Sequence, residues 1–272
     1  MHALGNDFVI VDGINQKIFF SADKIRFLSD RRYGIGFNQL LLVESSYNSN
    51  VDFHCRIYNA DGSEVNQCGN GIRCVALFVY IKKLVNKQDI IISTGMSIIK
   101  ISLLHENKVL VDMGEPIFNP KLIPFYASKY QNMYILFLFE QVILCGVVSL
   151  GNPHCVILSD NILKVDVPIL GSCLEKHHRF PEKANISFMQ IMNKGSINLR
   201  VYERGVGETQ ACGSAACAAV AVGIQQGLLQ SKELIKVNLP GGQLLISWKG
   251  SGNSLYMIGP ASYVYDGYIN GI

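Results

Sequence analysis

Short runs of Val, Ile, Leu and aromatic residues follow one another along most of the chain, and Gly, Asn or Pro separates them. This pattern predicts β-strands bounded by turns. The most apolar stretch, YILFLFEQVILCGVVSLG from Tyr134, is interrupted by Glu140 and Gln141 and therefore predicts two strands rather than a membrane helix. The other clear runs are FVIVDG, QLLLVE, DFHCRIYN, DIIIST, KVLVDM, SINLRVYE and QLLISW.

Only a few stretches carry the start and stop signals of helices. A strand-rich chain with few helices is predicted to have an α+β fold. The predicted helices are Ser21 to Arg32 with Ser21 as the N-cap, Asn70 to about Val85, Pro168 to about His177, and Ser214 to Gln226 ending at Gly227.

The sequence contains a weak internal duplication. A Tyr lies ten positions and a Glu four positions before both Cys68 and Cys212, in YNADGSEVNQC and YERGVGETQAC. Farther upstream, Asn6 in GNDF and Asn152 in GNPH lie 62 and 60 positions before the same cysteines. Four features repeated in order predict two similar domains that face each other across a cleft lined by equivalent loops.

A Pro-rich passage from Met113 to Phe125 is the predicted crossover between these domains. We expect an N-terminal domain over residues 1–112 and a C-terminal domain over residues 113–257. The C-terminal residues 258–272 are expected to return to the first domain as a strand.

Cys68 and Cys212 each lie at a turn of small residues that opens a predicted helix. A helix N-terminus offers free N–H groups and a partial positive charge, which bind a carboxylate and lower the pKa of a nearby thiol. Two such loops could hold one α-carboxylate and place a sulfur on each face of the α-carbon. One thiolate would remove the α-proton while the opposite thiol donates another, and the resting pair would share a single proton.

A metal site and a structural disulfide are the alternative roles for these two cysteines. Their gaps to Cys74 and Cys217 exceed the usual zinc-knuckle spacing and neither loop contains His, which disfavours a metal site. A structural disulfide between Cys68 and Cys212 stays open, although flanking glycines and a cytosolic setting favour reactive thiols. The remaining cysteines are expected to be small core residues without chemistry, namely Cys55, Cys74, Cys145, Cys155, Cys173 and Cys217.

Composition narrows the class of function. The apolar fraction of 49% is enough to build a full core, and a net charge of +3 without long Lys or Arg runs does not indicate nucleic-acid binding. A small-molecule function is therefore favoured. The first residues show no secretory signal, so a cytoplasmic protein is expected.

Seven segments in this order resemble the diaminopimelate epimerase family: HALGNDF, FNQLL, YNADGSEVNQCGNGIRC, GNPHCVI, NISFMQI, YERGVGETQACGSAACA and YDGYI. The resemblance covers nearly the whole chain. It implies two pseudo-symmetric domains, each a mostly antiparallel sheet around a central helix, with the active site in the interdomain cleft. It also implies conversion of LL- to meso-diaminopimelate in lysine and peptidoglycan precursor synthesis, without pyridoxal phosphate or metal.

The resemblance also assigns roles to residues. Cys68 and Cys212 would be base and acid, His154 and Glu203 would tune their pKa values, and Tyr265 would lie at a homodimer contact. Arg204 can bind the distal carboxylate of the substrate through two hydrogen bonds. The family's substrate contacts fall on Asn6, Gln39, Asn59, Gly69, Asn70, Asn152, Asn185, Glu203, Arg204, Gly213 and Ser214.

Three positions depart from the family pattern. The chain begins at Met1 where relatives usually have several more residues of a first strand, which suggests a misassigned or trimmed start and predicts a weaker edge of the N-terminal sheet. Asn38 stands where Asp is common, and Ala215 replaces a usual Gly. A Cβ at position 215 requires a negative φ, so we predict helical backbone there.

Several other functions stay open at this stage. The nearest is a two-cysteine racemase of the same fold that acts on proline or hydroxyproline, which Arg204 and the polar set disfavour. A related isomerase with a single carboxylate is disfavoured because both cysteines are present. A non-catalytic amino-acid binding module and a thiol redox protein are the alternatives from other classes.

Overall fold

The structure is a computed structural model that describes residues 1–65, 69–95, 97–231 and 233–269. The chain divides into two compact units, Met1–Val111 with Gly259–Ile272 (unit 1) and Asp112–Ile258 (unit 2). In its described part, each unit combines many β-strands with two α-helices. The predicted α+β class is therefore confirmed.

Each hydrophobic run named above forms a strand and each predicted helix is present, while the remaining strands lie outside the named runs. Unit 1 contains β1 (His2–Ala3), β2 (Asn6–Asp12), α1 (Ala22–Ser29), β3 (Gln39–Ser45), β4 (Phe53–Asn59), β5 (Glu64–Val65), α2 (Gly69–Ile81), β6 (Asp89–Thr94), β7 (Ser97–Leu103) and β8 (Lys108–Asp112). Unit 2 contains β9 (Tyr134–Leu138), β10 (Gln141–Ser149), β11 (Pro153–Leu158), α3 (Val167–Glu175), β12 (Asn185–Asn193), β13 (Ser196–Glu203), β14 (Gly207–Thr209), α4 (Gly213–Gln225), β15 (Ile235–Leu239), β16 (Gly242–Trp248) and β17 (Leu255–Pro260).

The two units repeat one strand topology. In unit 1, β2 runs parallel to β3, β3 pairs antiparallel with β4, and β4 pairs antiparallel with β5 and parallel with β6. Strands β6, β7 and β8 continue as an antiparallel meander. In unit 2, β11 to β17 repeat the same sequence of pairings in the same order. The duplication read from the sequence is thus a duplication of the fold.

Helices α2 and α4 are equivalent elements at the centres of their units. Helix α2 packs against β1, β2, β3 and β7, while α4 packs against β10 to β13 and β16. Nearly every residue of both helices is buried. A helix that is apolar all round is stable only when it is enclosed in this way. Each sheet therefore surrounds its own helix, and that helix begins directly after Cys68 or Cys212 in the sequence.

The local signals located the helix starts better than the helix ends. Ser21 is the N-cap of α1 and accepts from the Lys24 amide, as predicted. The same helix ends at Ser29 because the Asp30 side chain accepts the next amides and starts a turn. Helix α2 also ends early, at Ile81, before Lys83 in a left-handed conformation.

The apolar stretch from Tyr134 forms the two strands β9 and β10, which confirms that prediction. No described helix has the length and apolar character needed to cross a membrane.

Two expectations are wrong. Cys173 is only half-buried, because α3 buries Val167, Gly171 and Leu174 at helical spacing and Cys173 lies beside that stripe. The described C-terminal segment 263–269 is not a strand. After a single bridge between Ser262 and His2, it is held by side chains rather than by a ladder.

Candidate active site

Three amide side chains of unit 1 lie at one end of neighbouring strands. Asn6 begins β2, Gln39 begins β3, and Asn59 ends the antiparallel strand β4. Gln39 lies directly opposite Asn59, and its Nε2 donates to Asn59 Oδ1 at 2.9 Å. Gln39 Oε1 is buried and has no hydrogen-bond partner within the described residues. This oxygen is therefore available to accept from an N–H group of a ligand.

Asn38 retains the acceptor that an Asp would provide. Its Oδ1 accepts from Asn6 Nδ2 and from the Asp7 amide, both at 3.1 Å. The Asn38 amide in turn donates to the Asp7 carboxylate at 2.9 Å, and Arg31 binds that carboxylate through two nitrogens. The departure at position 38 thus removes one negative charge and keeps the contact that orients Asn6.

The first turn of α2 contains the predicted contacts Gly69 and Asn70. Asn70 is buried, and its Oδ1 accepts from Arg73 at 3.1 Å, so this side-chain oxygen already has a role inside the protein. Main-chain N–H groups are what the first turn of a helix characteristically offers to an anion. Cys68, the predicted catalytic residue before this turn, lies outside the described residues.

A matched Arg–Glu pair precedes each cysteine. In the β4–β5 hairpin, Arg56 donates to both carboxylate oxygens of Glu64, at 3.0 and 2.9 Å. In the β13–β14 hairpin, Arg200 does the same with Glu208, at 2.7 and 3.1 Å. The repeated Tyr residues lie opposite these Glu residues in the ladders. The repeated Glu therefore stabilises the hairpin that leads to each cysteine loop.

Cys212 is the N-cap residue of α4 and is buried. Its sulfur lies 3.5 Å from the Ser214 hydroxyl, within hydrogen-bond reach. Ala215 is in the right-handed first turn of this helix, as the sequence argument required. The thiol is thus held at the end of a helix, where main-chain amides converge.

Glu203 connects Cys212 to the end of β13. Burial raises the pKa of Glu203, while hydrogen bonds from Thr209 and Cys212 act in the opposite direction. The Thr209 hydroxyl donates to Glu203 Oε1 at 2.5 Å. Burial, followed by the Glu203 charge, raises the pKa of the Cys212 thiol well above its ordinary value. Cys212 therefore retains its proton at neutral pH and is suited to act as an acid.

His154 is completely buried on β11 next to the site. Its Nε2 lies 2.9 Å from Asn152 Oδ1, which selects the tautomer with the proton on Nε2. Nδ1 has no hydrogen-bond partner among the residues that the structure describes. Burial, with a smaller contribution from the Arg204 charge, lowers the pKa of His154 to about 3. The imidazole is therefore neutral at physiological pH.

Asn185 joins the start of β12 to the Arg204 backbone. Its Nδ2 donates to the Pro153 carbonyl at 3.2 Å, and its Oδ1 accepts from the Arg204 amide at 3.0 Å. The exposed Arg204 guanidinium donates through Nη1 to the Glu182 carbonyl at 3.1 Å. Unit 2 thus supplies Asn152 and His154 from the start of β11, Asn185 from β12, and the Glu203 to Ser214 segment from the chain between β13 and α4.

A family model described as diaminopimelate epimerase matches residues 1–119 and 146–264, which is most of the chain. The chain belongs to the diaminopimelate epimerase family. It is therefore an isomerase of that family, and the family assignment made from the seven segments is confirmed. The matched residues include every residue that the resemblance assigned to the site except Tyr265.

Full-length relatives carry the same name. The diaminopimelate epimerase of Blochmanniella pennsylvanica (strain BPEN) is 64% identical over 270 residues, covering 99% of this chain and 98% of that protein. The diaminopimelate epimerase of Blochmanniella floridana is 66% identical over 270 residues, with the same coverage.

More distant solved structures share the fold. A hydroxyproline epimerase from Agrobacterium vitis with bound trans-4-OH-L-proline aligns with a TM-score of 0.68 at 13% identity, over 97% of this chain and 89% of that chain. A Bacillus anthracis protein of the phenazine biosynthesis PhzF family aligns with a TM-score of 0.66 at 18% identity, over 97% and 93%. At such low identity these matches establish the two-domain α+β fold alone.

Four polar residues that hold the site residues of the two units were not predicted from the sequence. Arg56 and Arg200 had a readable signal, because each stands two positions before the repeated Tyr. Thr209 and Arg73 had none, since their roles depend on contacts that only the folded chain creates.

Proposed function

We propose that this epimerase converts LL-2,6-diaminopimelate into meso-2,6-diaminopimelate with Cys68 and Cys212 as a thiolate and thiol pair. The thiolate takes the α-proton and leaves its electron pair on the α-carbon. The opposite thiol then donates its proton to the other face of that carbon, and the pair exchanges protonation states. No oxidant and no cofactor enter this balance. The family membership and the full-length relatives support the substrate.

The observation that carries the proposal is the state of Cys212. It is buried at the N-terminus of α4 next to Glu203, and burial, followed by the Glu203 charge, raises the pKa of its thiol. A thiol held in the acid form suits the proton donor of a two-base reaction. Reversal of the reaction requires Cys68 to take the same role, so the pair titrates as one system.

The polar residues suit a substrate with two amino-acid ends. Helix N-termini such as those at Gly69 and Gly213 bind carboxylates. The buried Gln39 Oε1 suits an ammonium N–H. The Arg204 guanidinium donates one hydrogen bond to the Glu182 carbonyl and has further N–H donors. These donors suit the second carboxylate of the substrate. A compact apolar ring would leave these groups without partners, which disfavours proline as the substrate.

The experiment is epimerisation in deuterated water. Wild-type protein is expected to incorporate deuterium at the α-carbon of diaminopimelate and to interconvert the two isomers, while Cys68→Ala and Cys212→Ala are expected to abolish interconversion. Cys173→Ala, a change to a half-buried cysteine on α3, is the matched control and is expected to leave turnover intact. Exchange on proline or hydroxyproline without exchange on diaminopimelate would replace this assignment with the racemase alternative.

Two further features belong to the same proposal. We infer a homodimer with Tyr265 at its contact, because the family resemblance places it there and its side chain is 65% exposed. We also infer a cytoplasmic location, which fits catalysis by reduced thiols.

A further inference from the structure

Arg73 is a fully buried arginine in the middle of unit 1. It has no exposed surface and lies in the second turn of α2, among residues that are otherwise apolar. Arginine is always charged, and a buried charge is costly unless hydrogen bonds satisfy it. The hydrogen bonds of the Arg73 guanidinium therefore decide how this charge is accommodated in the core.

The guanidinium joins two separate parts of unit 1. Nη1 donates to the Gly69 carbonyl at 3.3 Å, and Nη2 donates to Asn70 Oδ1 at 3.1 Å. Nε donates to the carbonyl of Pro260 at 3.2 Å, where β17 ends. The planar guanidinium fork therefore connects the first turn of α2 to the end of β17.

Unit 2 has no arginine at the corresponding position. Five residues after Cys212 the chain has Cys217, which is fully buried in α4 and uncharged. The repeated topology makes the two helices equivalent, so the difference lies in this side chain. The first turn of α4 instead begins with Cys212 as its N-cap, in contact with Ser214. A buried arginine that donates to the first turn of the helix therefore occurs in α2 and has no counterpart in α4.

We propose that Arg73 is a positioning residue that fixes the first turn of α2 for binding the substrate carboxylate. The inference rests on the proposed function, in which the Gly69 and Asn70 turn contacts that carboxylate. By holding the Gly69 carbonyl and the Asn70 side chain on the inner side of the turn, Arg73 leaves the main-chain amides to face the ligand. A carboxylate is held equally in the ground state and the transition state, so loss of the fork affects KM more than kcat.

The kinetic test compares Arg73→Met and Arg73→Lys with wild type. Arg73→Met keeps the length and removes the fork, and it is expected to raise KM for diaminopimelate about tenfold while kcat falls no more than about threefold. Arg73→Lys keeps one donor and is expected to recover part of KM. The matched control is Val79→Ala, a buried change in the same helix, which is expected to lower thermal stability without changing KM.

A second readout does not depend on catalysis. Amide hydrogen exchange of the peptide that contains Gly69 and Asn70 is expected to accelerate at least tenfold in Arg73→Met, with the last turn of α2 unchanged. Unchanged exchange in that peptide, or a KM that shifts equally in Val79→Ala, overturns the role of Arg73. If wild-type protein fails to turn over diaminopimelate while the exchange difference holds, the proposed function fails and the positioning role stands.

Discussion

At the scale of single residues, the contact between Glu203 and Cys212 affects the protonation state of the Cys212 thiol. The carboxylate accepts hydrogen bonds from Thr209 and Cys212, and its charge helps to keep the sulfur protonated. The thiol on the α4 helix terminus would otherwise be stabilised as a thiolate by the main-chain amides. Burial and the neighbouring carboxylate, which raise the pKa of Cys212, therefore outweigh the helix end, which lowers it.

This balance predicts the behaviour of Glu203→Gln. Removing the negative charge is expected to lower the pKa of Cys212, because burial remains and the repulsion from Glu203 is lost. Alkylation of Cys212 against pH, in a Cys68→Ala background, measures the change. The control is Glu208→Gln, since Glu208 is paired with Arg200. If the pH midpoint of Cys212 alkylation is the same with and without Glu203→Gln, the Glu203 charge does not raise the pKa of Cys212.

His154 predicts a pH dependence of stability. Its folded pKa of about 3 lies below the unfolded value of 6.5, so the unfolded chain binds the proton first as the pH falls. The stabilisation is complete above pH 6.5 and is lost as the pH falls toward 3. Between about pH 7 and about pH 5, His154→Gln is expected to lose about 2 kcal/mol less unfolding free energy than wild type.

Urea unfolding at several pH values measures this effect. The exposed His105, changed to Gln, is the control and is expected to retain the wild-type pH dependence. If the unfolding free energies of wild type and His154→Gln change in parallel with pH, the buried imidazole is not the source of the pH dependence.

At the scale of elements, the close approach of α3 to β13 depends on Gly171. A Cβ built at this position would lie 2.5 Å from the Tyr202 side chain. Gly171→Ala is therefore expected to lower the free energy of unfolding by about 1–3 kcal/mol through overpacking. Gly195→Ala is the matched control, because its nearest neighbour is 3.6 Å away. Chemical denaturation of the two variants compares them, and equal stability would refute the packing argument.

The same Arg–Glu pair occurs in the β4–β5 and β13–β14 hairpins, but the two pairs differ in exposure and in the number of their contacts. The Arg200 and Glu208 side chains are less exposed than those of Arg56 and Glu64. Arg200 also donates to the carbonyls of Ile162 and Val165, which extends its contacts to a neighbouring loop. Both units thus contain the Arg–Glu pair, and the pair in unit 2 is less exposed and makes additional contacts.

At the scale of the whole molecule, the C-terminal segment lies on the surface of unit 1 and is held there by side-chain contacts. Lys82 at the end of α2 forms an ion pair with Asp266 and lies over the Tyr263 ring at 5.7 Å. These contacts hold the segment while Tyr265 and Tyr268 remain exposed. The segment is therefore fixed to unit 1 through side chains and directs aromatic groups outward.

If Tyr265 lies at the dimer contact, Tyr265→Ala is expected to shift the protein from dimer toward monomer at micromolar concentration. Aromatic residues at interface centres commonly contribute more than about 2 kcal/mol to association. Sedimentation equilibrium measures the mass, and Tyr47→Ala, a change to a fully exposed tyrosine in a loop, is the control. A Tyr265→Ala protein with wild-type mass would remove Tyr265 from the interface.

The sequence by itself determined the strands, the helix starts, the duplication and the family. These features depend on local periodicity, capping side chains and short motifs, which are written in neighbouring residues. The prediction for Ala215 succeeded for the same reason, because a Cβ restricts its own backbone. The prediction of a C-terminal strand was wrong because an apolar run gives no information about whether a partner strand is free to pair with it.

Only the tertiary structure decided how charge and burial are distributed around the site. The fork of Arg73 reaches from α2 to Pro260, which is 187 positions away, and Asn38 replaces an acid because its neighbours need only an acceptor. The low pKa of His154 and the high pKa of Cys212 follow from burial by distant segments. Desolvation depends on everything that surrounds a group in space, and sequence neighbours supply only part of those surroundings.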